Sequence, residues 1–241
     1  MSSDNEALAR SATASAWLVG LLQAGDSFYP TGSYAHSFGV EGLVQQGVIH
    51  DRATLREFLF RSALPALRHA DLPLAAHAWR AFAAPDWEKI RELSVLSSAL
   101  KPARETRRAS ENIGRQRAEL CAALHASPLT EEYLRRAVTE VWPFSSAVSA
   151  ALEGRALGAP LPAVLAGVSY SSLAAIISAA MKILRLGQNG AHSLLAEALA
   201  AAPEIIAAAE TTTIDEIGWF NPWLDVASAR HENADARMFI S

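Results

Sequence analysis

The spacing of apolar and polar positions predicts helix from end to end. Val, Ile and Thr rarely alternate with polar residues, while Ala, Leu, Glu and Arg dominate, a mixture that favours helix over strand. The pattern predicts a short helix over 14–24 ended by Gly25, a loop over 26–32, and a helix over 33–46 with Gly47 just past its end. Asp51 is placed to cap a helix through His69, and a break near Pro73 separates it from another over 72–84. After Pro85-Asp86, the apolar stripe Ile90, Leu93, Leu96, Leu100 marks a helix that Pro102 stops. Further helices are expected over 104–124, 130–141, 143–157, 161–186, 190–201 and 203–210, with Pro128 to Thr130 as a loop and N-cap. A last helix opens at Asn221-Pro222 and runs to about His231. The expected fold class is all-α: a single domain of roughly ten helices over 14–231, with a lead-in over 1–13 and a tail over 232–241.

Composition narrows the function. The chain has 241 residues, 51% of them hydrophobic and 19% charged, which suits a globular core and excludes a disordered chain. A net charge of −4 argues against coating nucleic acid. Cys121 is the only cysteine, so neither an internal disulfide nor a Cys-rich zinc site is available. The N-terminus lacks the basic start of a secretory signal, and the expected compartment is the cytoplasm. Residues 156–181 carry no charge, enough to span a bilayer; Pro160, Pro162, Tyr170 and the four serines Ser169, Ser171, Ser172 and Ser178 favour instead a helix buried on all sides in a soluble protein.

No catalytic constellation stands out. There is no Walker loop, no G-x-G-x-x-G and no G-x-S-x-G elbow. His231-Glu232-Asn233-Ala234-Asp235 misses H-E-x-x-H at its second ligand. His69 and His77, eight apart, would lie about 12 Å from each other on a straight helix, too far to share one metal within a chain. No cofactor and no resident metal site is expected.

Three segments remain conspicuous. The first is Asp26 to Glu41, where Ala35, Gly39 and Gly42 would give a predicted helix a face of small residues suited to a close neighbour, internal or external. The second is the Arg-rich helix over 103–124, where Thr106, Ser110 and Gly114 form a groove that a partner or a second copy could enter, and Glu111 can pair with Arg115. The third is the C-terminus, where Met238, Phe239 and Ile240 sit beside Arg237; apolar residues there need somewhere to dock, on the chain's own core or on a partner.

These segments carry a resemblance to the urease accessory protein UreF family. The family pattern S-x-x-P-x-G-[SAG]-[FY]-x-x-S-x-G-L-E is similar to Ser27 through Glu41, with Val40 for Leu. Its A-R-E-T-R-x-x-S-x-x-[ML]-G is similar to Ala103 through Gly114, and its segment ending in [KR]-L-x-x-L-[GS]-Q to Ala175 through Gln188. Its ending is similar to Asp225 through Ser241, with Ala236 for the usual Ser; residues 141–148 lack the His that often opens that helix. The resemblance implies a non-enzymatic, dimeric, all-α chaperone. With UreD (also called UreH) it would recruit the GTPase UreG to urease apoprotein for nickel insertion, with modulation of GTP hydrolysis as an extension. It implies a UreD-side set of Arg230, His231, Glu232, Arg237, Phe239 and Ser241. It also implies a dimer- or GTPase-facing set of Pro30, Gly32, Tyr34, Ser37, Gly39, Glu41, Arg104, Glu105, Arg107, Lys182, Arg185 and Gln188. Neither nucleic acid nor membrane is an expected partner. The competing reading is a helical enzyme with an apolar pocket along the 156–181 helix and His192 or Glu197 as base; a plain oligomerisation module is a third.

Overall fold

A computed structural model describes residues 16–231 and 238–239, of Tyr34, Arg230 and His231 only the backbone. The order begins with α1 (Ala16–Gly25), a 3-10 turn (Ser33–Ala35) and α2 (Val40–Gln45). A continuous helical stretch follows: α3 (Arg52–Phe58), α4 (Leu64–Ala66) and α5 (Leu72–Ala81), joined by wide π turns at Leu59–Ala63 and Leu67–Asp71. Then come α6 (Trp87–Ala99), α7 (Arg104–Leu124), α8 (Pro128–Thr139), α9 (Ser146–Ala156), α10 (Leu161–Ile183), α11 (Gln188–Leu199), α12 (Ala202–Thr211), a 3-10 turn (Ile214–Glu216) and α13 (Pro222–His231). Among the described residues there is no strand, and the expected all-α class holds.

Caps set many of the boundaries. The Asp51 side chain accepts from Thr54 N–H at 2.8 Å and closes a capping box at the start of α3. Asp86 accepts from Lys89 N–H at 3.0 Å to begin α6. Ser127 caps α8 with Pro128 in the first turn, so Pro128 to Thr130 is helix and not the expected loop.

Two boundaries depart further. The helix expected over 33–46 is interrupted because Phe38 (φ 54) and Gly39 (φ 84) are left-handed. A Cβ on Gly39 would lie 2.5 Å from Leu224 of α13, so this glycine serves a close approach and does not sit inside a helix. The chain also stays helical through Pro65 and Pro73. Proline lacks an N–H and its ring crowds the carbonyl four residues back. A π turn precedes each, with Leu64 N–H reaching Leu59 O and Leu72 N–H reaching Leu67 O. The carbonyl of His69, which Pro73 cannot satisfy, accepts from Gly218 N–H at 2.9 Å.

The centre of the core is α9, not the uncharged helix. Every residue from Ala147 to Gly154 is buried, and α9 packs most extensively on α7 and α5. The groove of Ser110 and Gly114 on α7 is filled from within: Ser110 Oγ lies 3.1 Å from Ser146 Oγ, and a Cβ on Gly114 would come within 2.5 Å of the Ser145 backbone. The expectation of a partner in that groove is therefore corrected, since α9 occupies it. The expected Glu111–Arg115 pair is absent too; Glu111 accepts from Ser98 Oγ (2.7 Å), and Arg115 stacks over Phe144 and faces Glu119. By length and composition α10 and the stretch Gln188–Thr211 could each cross a membrane. In the fold, α10 buries the face carrying Leu165, Leu173 and Ile177 and leaves Tyr170 exposed, so it is not buried on all sides.

Candidate docking surface

The loop before α2 is anchored from below by a buried charge cluster. Glu153 of α9 accepts a hydrogen bond from the Tyr29 hydroxyl and pairs with Arg117 of α7, Nη1 to Oε2 at 2.9 Å. Burial first, and the Glu153 carboxylate second, push the Tyr29 hydroxyl far above its usual range, so it stays a neutral donor. Arg117 also reaches the carbonyl of Ala24 at 3.4 Å, tying the end of α1 to the same cluster. Cys121, buried beside it, has its thiol pushed up to about 12 by burial and by Glu153; it is not poised to react. Tyr29 and Arg117 lie in two of the conspicuous segments, but neither they nor Glu153 belong to the site sets expected from the sequence. The available signal was one acid at the end of the small, apolar run 145–154.

Above this anchor two distant segments of the chain meet. Glu41, in the first turn of α2, is buried, and its carboxylate accepts from two backbone amides of the tail: Met238 N–H at 2.7 Å and Phe239 N–H at 3.0 Å. Phe239 is buried, and Lys182 Nζ, at the end of α10, stands 5.0 Å from its ring centroid. Of the two alternatives for the apolar ending, docking on the chain's own core describes Phe239.

The remaining candidates distribute around this corner. Ser37 and Gly39 are buried in the loop; the Ser37 hydroxyl, like that of Ser228 on α13, has no hydrogen-bond partner among the described residues. Gly32 (φ 76) and Pro30 are exposed. Glu105 lies near the buried His36, whose imidazole is held below its usual value by burial, an effect Glu105 opposes. Arg107 donates to the carbonyls of Lys101 (3.0 Å) and Pro102 (3.1 Å), closing the end of the preceding turn. Arg104 at the start of α7, Arg185 on the α10–α11 link and Gln188 at the start of α11 are exposed. The side chains of Tyr34, Arg230 and His231, and the whole of Glu232, Arg237 and Ser241, lie outside the described residues.

Two hollows adjoin the corner. A cleft of about 280 Å³ is lined by the Tyr170–Met181 side of α10, Arg117 and His192. Glu197, named beside His192 as a candidate base, is elsewhere, bound to Arg56 Nε at 2.6 Å. A second, mostly apolar cavity of about 240 Å³ lies between the α3–α5 stretch and α7, α10 and α13, with left-handed Phe38 in its wall. Among the described residues no three His, Cys, Asp or Glu side chains are grouped to hold a metal.

The arrangement defines an all-α scaffold in which two distant chain segments meet at one corner. The UreF family model matches residues 49–199. Similar proteins include the urease accessory protein UreF of Granulibacter bethesdensis, 30% identical over 232 residues (96% of this chain, 97% of the relative). Those of Arthrobacter sp. (29%; 95% and 100%) and Bacillus sp. (25%; 93% and 99%) bear the same name. The chain belongs to the UreF family.

Proposed function

We propose that this protein is a urease accessory chaperone that works as an adaptor and makes or breaks no bonds itself. One face, ordered by the tail over 232–241, meets UreD (UreH). The Gly32–Glu41 loop and the Lys182 end of α10 face the GTPase UreG or a second copy in a homodimer. The assembly delivers nickel, as cargo, to urease apoprotein in the cytoplasm. The observation that carries this reading is the Glu41 carboxylate gripping the backbone of Met238 and Phe239. It makes the segments assigned to two partners neighbours, so that one partner's grip on the tail bears on the surface offered to the other.

The test is light scattering on size-exclusion eluates, with this chain alone, with a UreD homologue, and with both plus UreG. The expected result is a stable complex with UreD that then retains UreG. Removing 232–241 abolishes the first step; full-yield co-elution of the truncated chain would overturn the tail assignment. Arg107 already caps the turn at Lys101 and Pro102, which favours a scaffold over an arginine finger. Arg104→Ala and Arg107→Ala are expected to leave single-turnover GTP hydrolysis by assembled UreG unchanged. The enzyme reading retains the cleft with His192, and a ligand-dependent rise in melting temperature of the lone chain would favour it.

A further inference from the structure

The segment between α12 and α13 is fastened to the core yet turns its aromatic side chains outward. Gly218 N–H holds the His69 carbonyl, and Trp219 stacks on the His69 ring with centroids 5.7 Å apart and planes 14° from parallel. Asn221 caps α13 by accepting from Leu224 N–H at 3.2 Å and donates to Ser62 Oγ at 2.9 Å. On this platform Phe220 is 79% exposed, Trp223 is 82% exposed, and Val226, one turn along α13, is 45% exposed. The two aromatics alone offer water roughly 300 Å² of apolar surface, the size of patch that marks an interaction site. A loose loop could fold such side chains away; a segment pinned at His69 and Ser62 holds them out.

We propose that Phe220, Trp223 and Val226 anchor a docking face for a protein partner whose matching surface is an apolar depression rimmed by Lys or Arg. The inference rests on the adaptor reading and names the surface by which the adaptor is held. The charge around the patch selects the occupant. From Thr211 to Ala229 the chain has no Lys or Arg, Asp215 and Glu216 are exposed a few residues ahead of Phe220, and the bases beside the two anchors, Arg61 and Arg68, face Glu57 and Glu204. A second copy would bring to this face a segment equally without bases, and an anionic bilayer would repel the acids. A basic rim gains from both apolar burial and opposite charge, and an exposed Trp is a common centre for such binding.

The probe is a purified UreD homologue, titrated by calorimetry into the full-length chain. F220S/W223S should keep the wild-type melting temperature, because both side chains are exposed, and bind at least about tenfold more weakly. D215K/E216K should also weaken binding, and the wild-type affinity should fall as salt rises from about 0.05 to 0.5 M. If wild type binds and F220S/W223S binds equally well, this inference is overturned and the adaptor reading stands. If wild type does not bind UreD at all, both fall. Charge reversal that strengthens binding, or F220S/W223S abolishing self-association of the lone chain while sparing UreD, would also overturn it, the latter in favour of a second copy.

Discussion

Two buried carboxylates in this molecule are satisfied in opposite ways. Glu153, 1% exposed, sits at the central helix crossing and is met by side chains, Arg117 and the Tyr29 hydroxyl. Glu41, 4% exposed, sits at the corner and accepts backbone amides from residues 197 and 198 positions away. A buried charge paired with a buried charge locks in place, because separating them strands both in a poor solvent. A carboxylate that takes N–H groups from a short segment lets that segment leave, since water replaces the acceptor for the amides once they are exposed. The crossing is therefore expected to hold and the corner to open more readily, a division that suits the adaptor proposed above.

Breaking the crossing should have the largest effect. Glu153→Ala leaves Arg117 half-buried without its partner and removes the acceptor of Tyr29. We expect a loss of about 3–5 kcal/mol, read from urea denaturation. A loss below that of an ordinary surface substitution would mean that the pair is not what holds α7, α9 and the loop together. Gly114→Ala tests the same crossing by volume, because the added Cβ falls 2.5 Å from the Ser145 backbone and α7 and α9 must separate. The expected cost is about 2–3 kcal/mol.

At the corner, Glu41→Ala should be milder and local. About 1–2 kcal/mol of charge-assisted hydrogen bonding is lost. It should be seen as faster hydrogen exchange at the amides of Met238 and Phe239, with exchange in α9 unchanged. If exchange rises equally in α9, the two regions are one cooperative unit and the contrast drawn above fails.

The two regions also differ in how far they could be foreseen. Helices were legible because caps such as Asp51 and Asp86, and stripes such as Ile90 and Leu93, are local. The occupant of the Gly114 groove was not: small residues announce that a backbone comes near, not whose. The central place of α9 is not legible because a carboxylate at Glu153 does not announce burial, while the uncharged α10 does; the charge that neutralises Glu153 comes from another helix. The bend at Phe38-Gly39 escaped because Phe rarely takes a left-handed conformation, and only the approach of Leu224 requires the turn there. Glu41 and Phe239 are both candidates by sequence, but on separate surfaces, since spacing along a chain says nothing of a contact between segments about two hundred residues apart. The aromatic patch was visible as residues; its pinning to His69 was not, because it depends on a carbonyl released by Pro73.

His36 sharpens the comparison through pH. Burial holds its folded-state value below that of the unfolded chain, so the unfolded chain binds the proton more readily. The stability tied to neutral His36 is therefore present above the ordinary histidine value, near 6.5, and lost as pH falls through it toward the lower folded value. Glu105 on α7 and Glu41 on α2 belong to elements near this loop, and Glu105 softens the effect. His36→Asn should flatten stability against pH in that window. A wild-type curve that is already flat there would show that the imidazole is solvated.

The smallest effect is expected outside both clusters, at Val141. This β-branched residue is left-handed (φ 55) and 85% exposed, so its side chain packs on little while its backbone sits where Cβ is crowded. The strain belongs to the turn from α8 into α9: Trp142 N–H must reach the Ala137 carbonyl (3.0 Å) for Trp142 and Phe144 to enter the core around Tyr133. Val141→Gly removes the crowding, worth about 1–2 kcal/mol, and gives back part of it through the freedom glycine adds to the unfolded chain. A net gain of about 0.5–1 kcal/mol is expected in denaturation, with exchange at Met238 and Phe239 unaltered. A destabilised variant would mean that the valine side chain holds the turn, and that α9 is positioned from its N-terminal side as well as by Glu153 and Gly114.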